Sequence, residues 1–257
     1  LAPARMTDLR PGKSADAHER RAARTSYVRH SLAVRLLHWI NVVALCVLLM
    51  SGLQIFNAHP ALYWGKSSYS GSPPFFVLAH GFPSWLTLPD GRWLAMGRRW
   101  HLFFAWIFVA NGLIYVIYSI VSRHLSRDLA PTRTDLRSIG RSIIDHLHLR
   151  HPTGAAARRY NVLQKLVYLF VIFGLLPFVM LMGWALSPRL DTVIPGWVDI
   201  VGGRQSARTL HFIAAWTLVG FVLVHVFEVL ISGVFNNLRS MITGRYVIES
   251  EHADQPR

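Results

Sequence analysis

One cysteine in 257 residues, thirteen acidic side chains against twenty-seven Lys and Arg, and charge on only 16 % of positions are the first things to narrow this chain. Cys46 alone can make no disulfide within the chain, so no disulfide framework holds the fold. His-Glu-x-x-His is absent, which removes the usual helical zinc site, and no glycine-rich loop is built to cradle a phosphate. There is no internal repeat. Long polar stretches are scarce as well, because 52 % of the residues are hydrophobic.

The apolar residues gather into four runs, at 34–56, 102–121, 162–186 and 210–234. A helix needs about 20 apolar residues to cross a hydrocarbon core of about 30 Å. The expectation is therefore an all-α integral membrane protein, a bundle of four transmembrane helices. The first run follows a basic tail but is too long for the apolar part of a signal peptide. Residues 51–56 offer no small-x-small cleavage site, so the run reads as a retained helix. Pro177 predicts a kink in the outer half of the third helix.

A net charge of +14 in a soluble chain would suggest nucleic acid, but the positions of the charges argue against it. Lys and Arg number 19 in the tail to Arg35, the 122–160 segment and the end beyond Val234, against 7 in the two other loops. The positive-inside rule then places both termini and the middle loop in the cytoplasm of a bacterial inner membrane protein, with the 55–101 and 187–209 loops outside. Residues 1–28 read as a basic cytoplasmic tail, 29–240 as the membrane domain and 241–257 as a C-terminal cytoplasmic tail. Leu136, Ile139, Ile143 and Leu147 recur at helical spacing and predict an amphipathic helix on the inner leaflet. The 55–101 loop carries five prolines and ten of the chain's aromatic residues, among them Trp64, Trp85 and Trp93. Such a loop is folded, and it serves either as an interfacial aromatic belt or as a docking surface.

Four histidines fall inside or at the mouth of these runs: His38, His101, His211 and His225. The last two are fourteen residues apart, about 21 Å along one helix and about 40° short of four whole turns. By depth, His38 and His225 match near the cytoplasmic face, and His101 and His211 match near the outer face. Pairs that far apart cannot share one ion, but they suit two irons, each with two axial imidazoles. Without a Cys-x-x-Cys-His run the implied cofactors are two haem b groups, held by ligation and packing. Arg35, Arg99 and Arg208, with Arg98, flank these histidines as candidate propionate partners; positive-inside anchoring accounts equally well for Arg35. Gly52, Gly112, Gly174, Gly183 and Gly220 leave room for a ring or for ordinary helix packing. Glu228, one turn from His225, is either a proton relay or the partner of an arginine at the helix end.

Several of these residues carry a resemblance. Arg35-Leu36-Leu37-His38-Trp39, Arg99-Trp100-His101, the His211 to His225 spacing and the run Tyr160-Asn161-Val162-Leu163-Gln164-Lys165 resemble the di-haem cytochrome b subunits of formate dehydrogenases, Ni–Fe hydrogenases and thiosulfate reductases. The similarity covers about residues 29 to 240. It implies electron transfer between a periplasmic redox subunit, of molybdenum or Ni–Fe type, and the quinone pool. The resemblance also implies an intervening iron–sulfur or other electron-transfer subunit and places Asn161 and Gln164 near the quinone, with Lys165 available to a reduced, anionic form. The long aromatic outer loop departs from the formate dehydrogenase pattern. A self-contained quinone-coupled oxidoreductase, acting on a small periplasmic reductant such as superoxide, is the alternative; it needs an open electropositive funnel to the outer haem rather than a docking loop. Membrane lipid is an expected partner and nucleic acid is not.

Overall fold

The structure, a computed structural model, describes residues 24–67, 73–90, 93–123, 125, 130–137, 139–147 and 162–249. Strand β1 (Arg24–Val28) leads into helix α1 (Leu32–Asn57), whose first turn is capped by the Ser31 hydroxyl accepting from the Val34 amide. The outer segment forms a short pair, β2 (Ala61–Leu62) with β3 (Phe76–Val77), before α2 (Leu94–Val121) crosses back. Between α2 and α5 lie α3 (Arg133–Arg137) and α4 (Ile139–Leu147), helical over the stretch where the sequence predicts an amphipathic helix. Then come α5 (Val162–Ala185), the short outer helices α6 (Pro188–Val193) and α7 (Trp197–Ile200), and α8 (Arg204–Ile231). Helix α9 (Val234–Thr243) and strand β4 (Arg245–Glu249) close the described chain.

Helices α1, α2, α5 and α8 run for 24 to 28 residues each, and only 11–17 % of their most apolar windows is buried within the protein. Faces that apolar and that open need lipid as solvent, so the four are the membrane spans. Helices α2 and α8 begin well before the apolar runs at 102 and 210, at Leu94 and Arg204. Their first two turns carry Arg98, Arg99, Arg204 and Arg208, polar groups suited to the headgroup layer, where a helix continues without a hydropathy signal.

Close backbone contacts concentrate within two antiparallel pairs, α1 with α2 and α5 with α8. The pairs meet at mid-depth, where Val171, Leu175, Ala214 and Leu218 form a buried cluster joined by Leu45, Leu176, Val179 and Phe221. Within α5, Val171–Leu175 is a π-helical turn just before Pro177. Proline lacks the amide for an i−4 bond and its ring crowds that carbonyl, so a widened turn takes up the misfit where a simple kink is expected.

Two further departures concern the ends. Residues expected as tails pair as an antiparallel ribbon, β1 with β4, in the register Arg24↔Glu249 to Val28↔Arg245. The outer loop folds back onto the bundle itself. Asn57 clamps it by donating to the Phe82 carbonyl at 2.8 Å and accepting from the Phe82 amide at 2.6 Å. At the start of α8, the Gln205 and Ser206 amides donate to the Gly65 carbonyl at 3.0 and 3.3 Å, and the Gly65 amide donates to the Ser206 hydroxyl at 2.8 Å. A loop carbonyl thus satisfies helix-start amides that would otherwise be orphaned.

Candidate functional site

The four membrane histidines meet in two pairs. His38 on α1 faces His225 on α8 with ring centroids 6.5 Å apart, and His101 on α2 faces His211 on α8 at 6.1 Å. His38 and His225 each lie six residues inside a helix end, and His101 and His211 each lie seven, so each pair is level in depth. His101 sits about two turns inside α2 rather than at its mouth, because the helix starts at Leu94. The apolar cluster around Leu175 and Leu218 lies between the two levels.

The separations fit a metal between the rings. An imidazole nitrogen binds a first-row metal at about 2.0–2.1 Å, and the ring centre lies about 1.2 Å further back, so two axial imidazoles place their centroids about 6.4 Å apart. No third ligand-type side chain joins either pair, since no cluster of three His, Cys, Asp or Glu suited to a metal occurs among the described residues. Two nitrogens and no more is the donor set expected for haem iron, not for zinc. There is also room at the inner level. Gly112 lies eleven residues from His101, about 20° from the same face of α2, and a Cβ added there meets nothing within 4 Å. Gly220 is likewise open, but it lies about 180° from His211 and about 140° from His225 around α8, so it faces away from both pairs.

The rings of the outer pair are set by a shared device. His101 Nδ1 lies 3.1 Å from the Leu48 carbonyl and 3.1 Å from the Ser51 hydroxyl, and His211 Nδ1 lies 2.8 Å from the Val179 carbonyl. Four residues beyond each of those carbonyls stands a glycine, Gly52 and Gly183. A Cβ added at Gly52 would stand 3.4 Å from His101 Cε1, and one at Gly183 would stand 3.2 Å from His211 Cε1. At Gly183 the absent side chain lets the ring reach the carbonyl one turn back, whereas at Gly52 a methyl group would make an ordinary contact. Donation from Nδ1–H leaves Nε2 as the lone-pair atom facing the partner ring. The inner pair is set otherwise. Phe221 stacks on His225 at 6.0 Å, Trp39 meets His38 edge-on at 5.4 Å, and His38 Nδ1 is buried with no hydrogen-bond partner. Asn111, buried in α2, donates to the Leu37 carbonyl at 2.9 Å and to Asn41 Oδ1 at 2.7 Å, tying α2 to the turn that carries His38. The Leu48 to Gly52 and Val179 to Gly183 spacings were available in the sequence. Asn111 announced itself only as a polar residue in an apolar run.

The flanking arginines divide. Arg99 is exposed at the outer end of α2. Arg208 donates to the Ala61 carbonyl at 3.0 Å and to that of His59, holding the outer loop. Arg35 donates through Nη1 to the Ile242 carbonyl, while its Nε is buried without a partner. Asn161 lies outside the described residues, and Gln164 is half-buried in the first turn of α5. Lys165, expected to be available to a reduced quinone, is instead buried in a 2.8 Å ion pair with Asp135 of α3. On the same side, Arg29 and Glu228 both lie within electrostatic reach of the Tyr168 hydroxyl.

The chain is 34 % identical over 220 residues, 85 % of its own length and 97 % of the other's, to a putative protein-methionine-sulfoxide reductase subunit, YedZ1, of Azospira oryzae. It is 25 % identical to a probable Ni/Fe-hydrogenase B-type cytochrome subunit of Cupriavidus necator, over 87 % of this chain and 88 % of that one. A subunit of the same description from Rhodobacter capsulatus is 22 % identical over 90 % of this chain and 85 % of its own. No solved structure matches significantly. The sequence pattern of the prokaryotic cytochrome b561 family covers residues 29–244, spanning all four histidines and all four spans, and the chain belongs to that family of membrane haem b electron-transfer proteins.

Proposed function

We propose that residues 29–240 form a di-haem domain in which His38 and His225 hold an inner haem b and His101 and His211 an outer one, and that the chain carries electrons between an outward-facing redox subunit and the quinone pool. The observation that carries this reading is the pair of level histidine couples, at 6.5 and 6.1 Å. Haem b, once bound through two imidazoles, exchanges single electrons at an iron with no open position for oxygen. The protein's own part is to fix the ligand rings and exclude water. Leu48 and Val179 orient the outer rings through their carbonyls, Phe221 orients His225, and the cluster of Val171, Leu175, Ala214 and Leu218 keeps the space between the levels dry.

The 19-to-7 distribution of Lys and Arg supports termini in the cytoplasm and the β2–β3 loop in the periplasm. That loop, anchored by Arg208 and Asn57 yet exposing Trp64, Phe75 and Trp85, supports a docked partner over a small reductant entering an open funnel. The greater identity to the Azospira oryzae subunit favours a partner of that reductase class over a hydrogenase. Arg98 and Arg99, both exposed near the outer end of α2, are the flanking arginines placed to pair with a propionate; Arg35 and Arg208 would have to share such a role with the carbonyls they now hold.

Asn161 and Gln164 would hydrogen-bond a quinone at the inner end of α5, with Glu228 delivering its protons. Because Asp135 already neutralises Lys165, that lysine serves the fold and not a quinone anion. Pyridine haemochrome assay of the purified protein should give two haems per chain. His38→Ala and His225→Ala should remove one and the same haem, and His101→Ala and His211→Ala the other. One haem per chain, or a His38→Ala spectrum that matches His211→Ala, overturns the assignment. Asn161→Leu should keep both haems and slow quinone exchange at least tenfold, about 1.4 kcal/mol of barrier.

A further inference from the structure

Helix α9 is packed the wrong way round for a helix in water. Its arc of Val234, Phe235, Leu238, Met241 and Ile242 spans about 120° of the wheel. On that arc Phe235 is 88 % exposed, Ile242 59 % and Leu238 42 %. Part of the polar side, the arc of Asn236, Asn237 and Ser240, is turned inward, while Arg239 and Thr243 are exposed. Ser240 is 1 % exposed, and the Asn236 side chain pairs with both backbone groups of Val247 in β4, donating at 2.7 Å and accepting at 3.1 Å. A helix that buries its amides and hydroxyls and bares its phenylalanine has its apolar face covered by something other than this chain.

Its position says what covers it. Only Ser232 and Gly233 separate α9 from the last residue of α8, and Gly233 turns sharply at φ +100°. The exposed arc therefore continues the lipid-facing surface of Leu230 and Ile231 at the level where the span leaves the hydrocarbon. Exposed Arg239 and Arg245 flank it, and α9 contains no acidic residue. The last turn is also fastened to the opening of α1. Trp39 Nε1 donates to the Met241 carbonyl at 3.1 Å, Arg35 donates to the Ile242 carbonyl, and the Arg29 amide donates to the Gly244 carbonyl at 2.8 Å. The approach is tight, because a Cβ at Gly244 would lie 3.0 Å from the His30 carbonyl oxygen and 3.3 Å from Arg35 Cζ.

We propose that α9 is an interfacial helix seated in the anionic phospholipid leaflet on the side of the chain termini, with Phe235, Leu238 and Ile242 among the acyl chains and Arg239 and Arg245 at the phosphates. Amphipathic helices with cationic flanks bind anionic surfaces in this manner. Through Trp39 and Arg35 the seated helix buttresses the turn of α1 that carries His38. The proposal stands on the packing of α9 and not on the haem assignment.

The test uses full-length protein in a Cys46→Ala background, reconstituted in phosphatidylglycerol-containing vesicles. Nitroxides are attached singly at positions 235, 238, 242 and 243, and a preserved circular-dichroism spectrum confirms the fold of each. Power-saturation spectroscopy compares collision with oxygen, which concentrates in acyl chains, and with a water-soluble nickel chelate. Positions 235, 238 and 242 should favour oxygen at least fivefold more than position 243. In Arg239→Gln/Arg245→Gln protein the label at 238 should move towards the chelate, as it should when phosphatidylcholine replaces the anionic lipid. Chelate-accessible labels at 235, 238 and 242 show a face in water and overturn the proposal. Labels shielded from both reagents show a protein cover, from a partner or a second copy, and overturn it equally. An unchanged label at 238 in the arginine variant removes the phosphate contacts.

Discussion

His211 is set by a residue on another helix that contributes no side chain. A Cβ at Gly183 would stand 3.2 Å from His211 Cε1 and 3.5 Å from Nδ1, closer than most real contacts, and the ring can yield only by lengthening its 2.8 Å bond to Val179. At Gly52 the same construction leaves 3.4 Å to His101, an ordinary contact. Gly183→Ala should therefore weaken retention of the outer haem about tenfold, the low end for losing a group that orients a metal ligand. Gly52→Ala should leave it unchanged, and haem-to-protein ratios after detergent exchange compare the two; full retention in Gly183→Ala would show that this glycine does not set the ring. Asp135 is the second residue whose setting yields a forecast. Its hydrogen bond from Lys165, then that from the Thr132 amide, hold its carboxyl down to about 2 from an ordinary 3.8. A depressed carboxylate stabilises fully above its unfolded pKa and loses that contribution as pH falls through the folded one, so the pair is intact from pH 5 upward and is released between about 4 and 2. Protease cutting within 130–147 should be constant from pH 5 to 8, and Asp135→Asn should raise it at neutral pH by stranding the buried Lys165 charge. Such pairings were hidden in the sequence. The four histidines showed in it because ionisable groups in apolar runs are costly, whereas Lys165 looked available because nothing local reveals that Asp135, thirty residues away, is its partner.

At the scale of elements, hydropathy located the four spans but not their ends, since helix geometry continues into the headgroup layer after the apolar signal stops. Leu94 and Arg204 start helices that carry Arg98, Arg99, Arg204 and Arg208 before their apolar runs begin. The β1–β4 ribbon was invisible for a different reason, because Arg24–Val28 pairs with residues more than two hundred positions away. The outer loop was legible as folded from its aromatics, but its anchor was not. That anchor is the close approach of Gly203 to Gly65. Gly203 has φ +104°, and a Cβ there would lie 2.7 Å from the Gly65 carbonyl oxygen and 2.8 Å from Lys66 Cα. Both obstacles are backbone, so neither can swing aside. Gly65 itself has φ +97° but nothing within 4 Å of its Cβ position. Gly65→Ala should cost only backbone strain, about 1 kcal/mol at the lower end for a left-handed non-glycine residue. Gly203→Ala should cost clearly more and free the loop from α8, read as a larger fall in thermal midpoint and faster proteolysis of residues 58–67. A Gly203→Ala protein as stable as Gly65→Ala would mean that the loop is held by Arg208, Thr209 and Asn57 without the close approach at Gly203.

For the whole molecule, orientation decides which histidine pair would meet quinone and which a partner under the proposed function. The fold is nearly symmetric in depth, with pairs six and seven residues from the helix ends, so geometry alone does not assign sides. Charge breaks the symmetry. The end carrying α3, α4, α9 and both termini holds 19 Lys and Arg against 7 at the other, and cationic loops are retained on the cytoplasmic side during insertion. The same end presents α4 and α9, short helices with exposed Ile143, Ile144 and Phe235, which suit a leaflet surface, while the opposite end presents Trp64, Phe75 and Trp85 on a loop pinned to α8. Single cysteines at Ser84 and Thr134, both exposed, report the two ends once Cys46 is replaced by Ala. In intact cells an impermeant maleimide should label Ser84→Cys at least tenfold more than Thr134→Cys, and lysis should bring the second up to the first. The reverse pattern would place His38 and His225 on the periplasmic side, and would move the partner surface to the α4–α9 end and the quinone to the tryptophan loop.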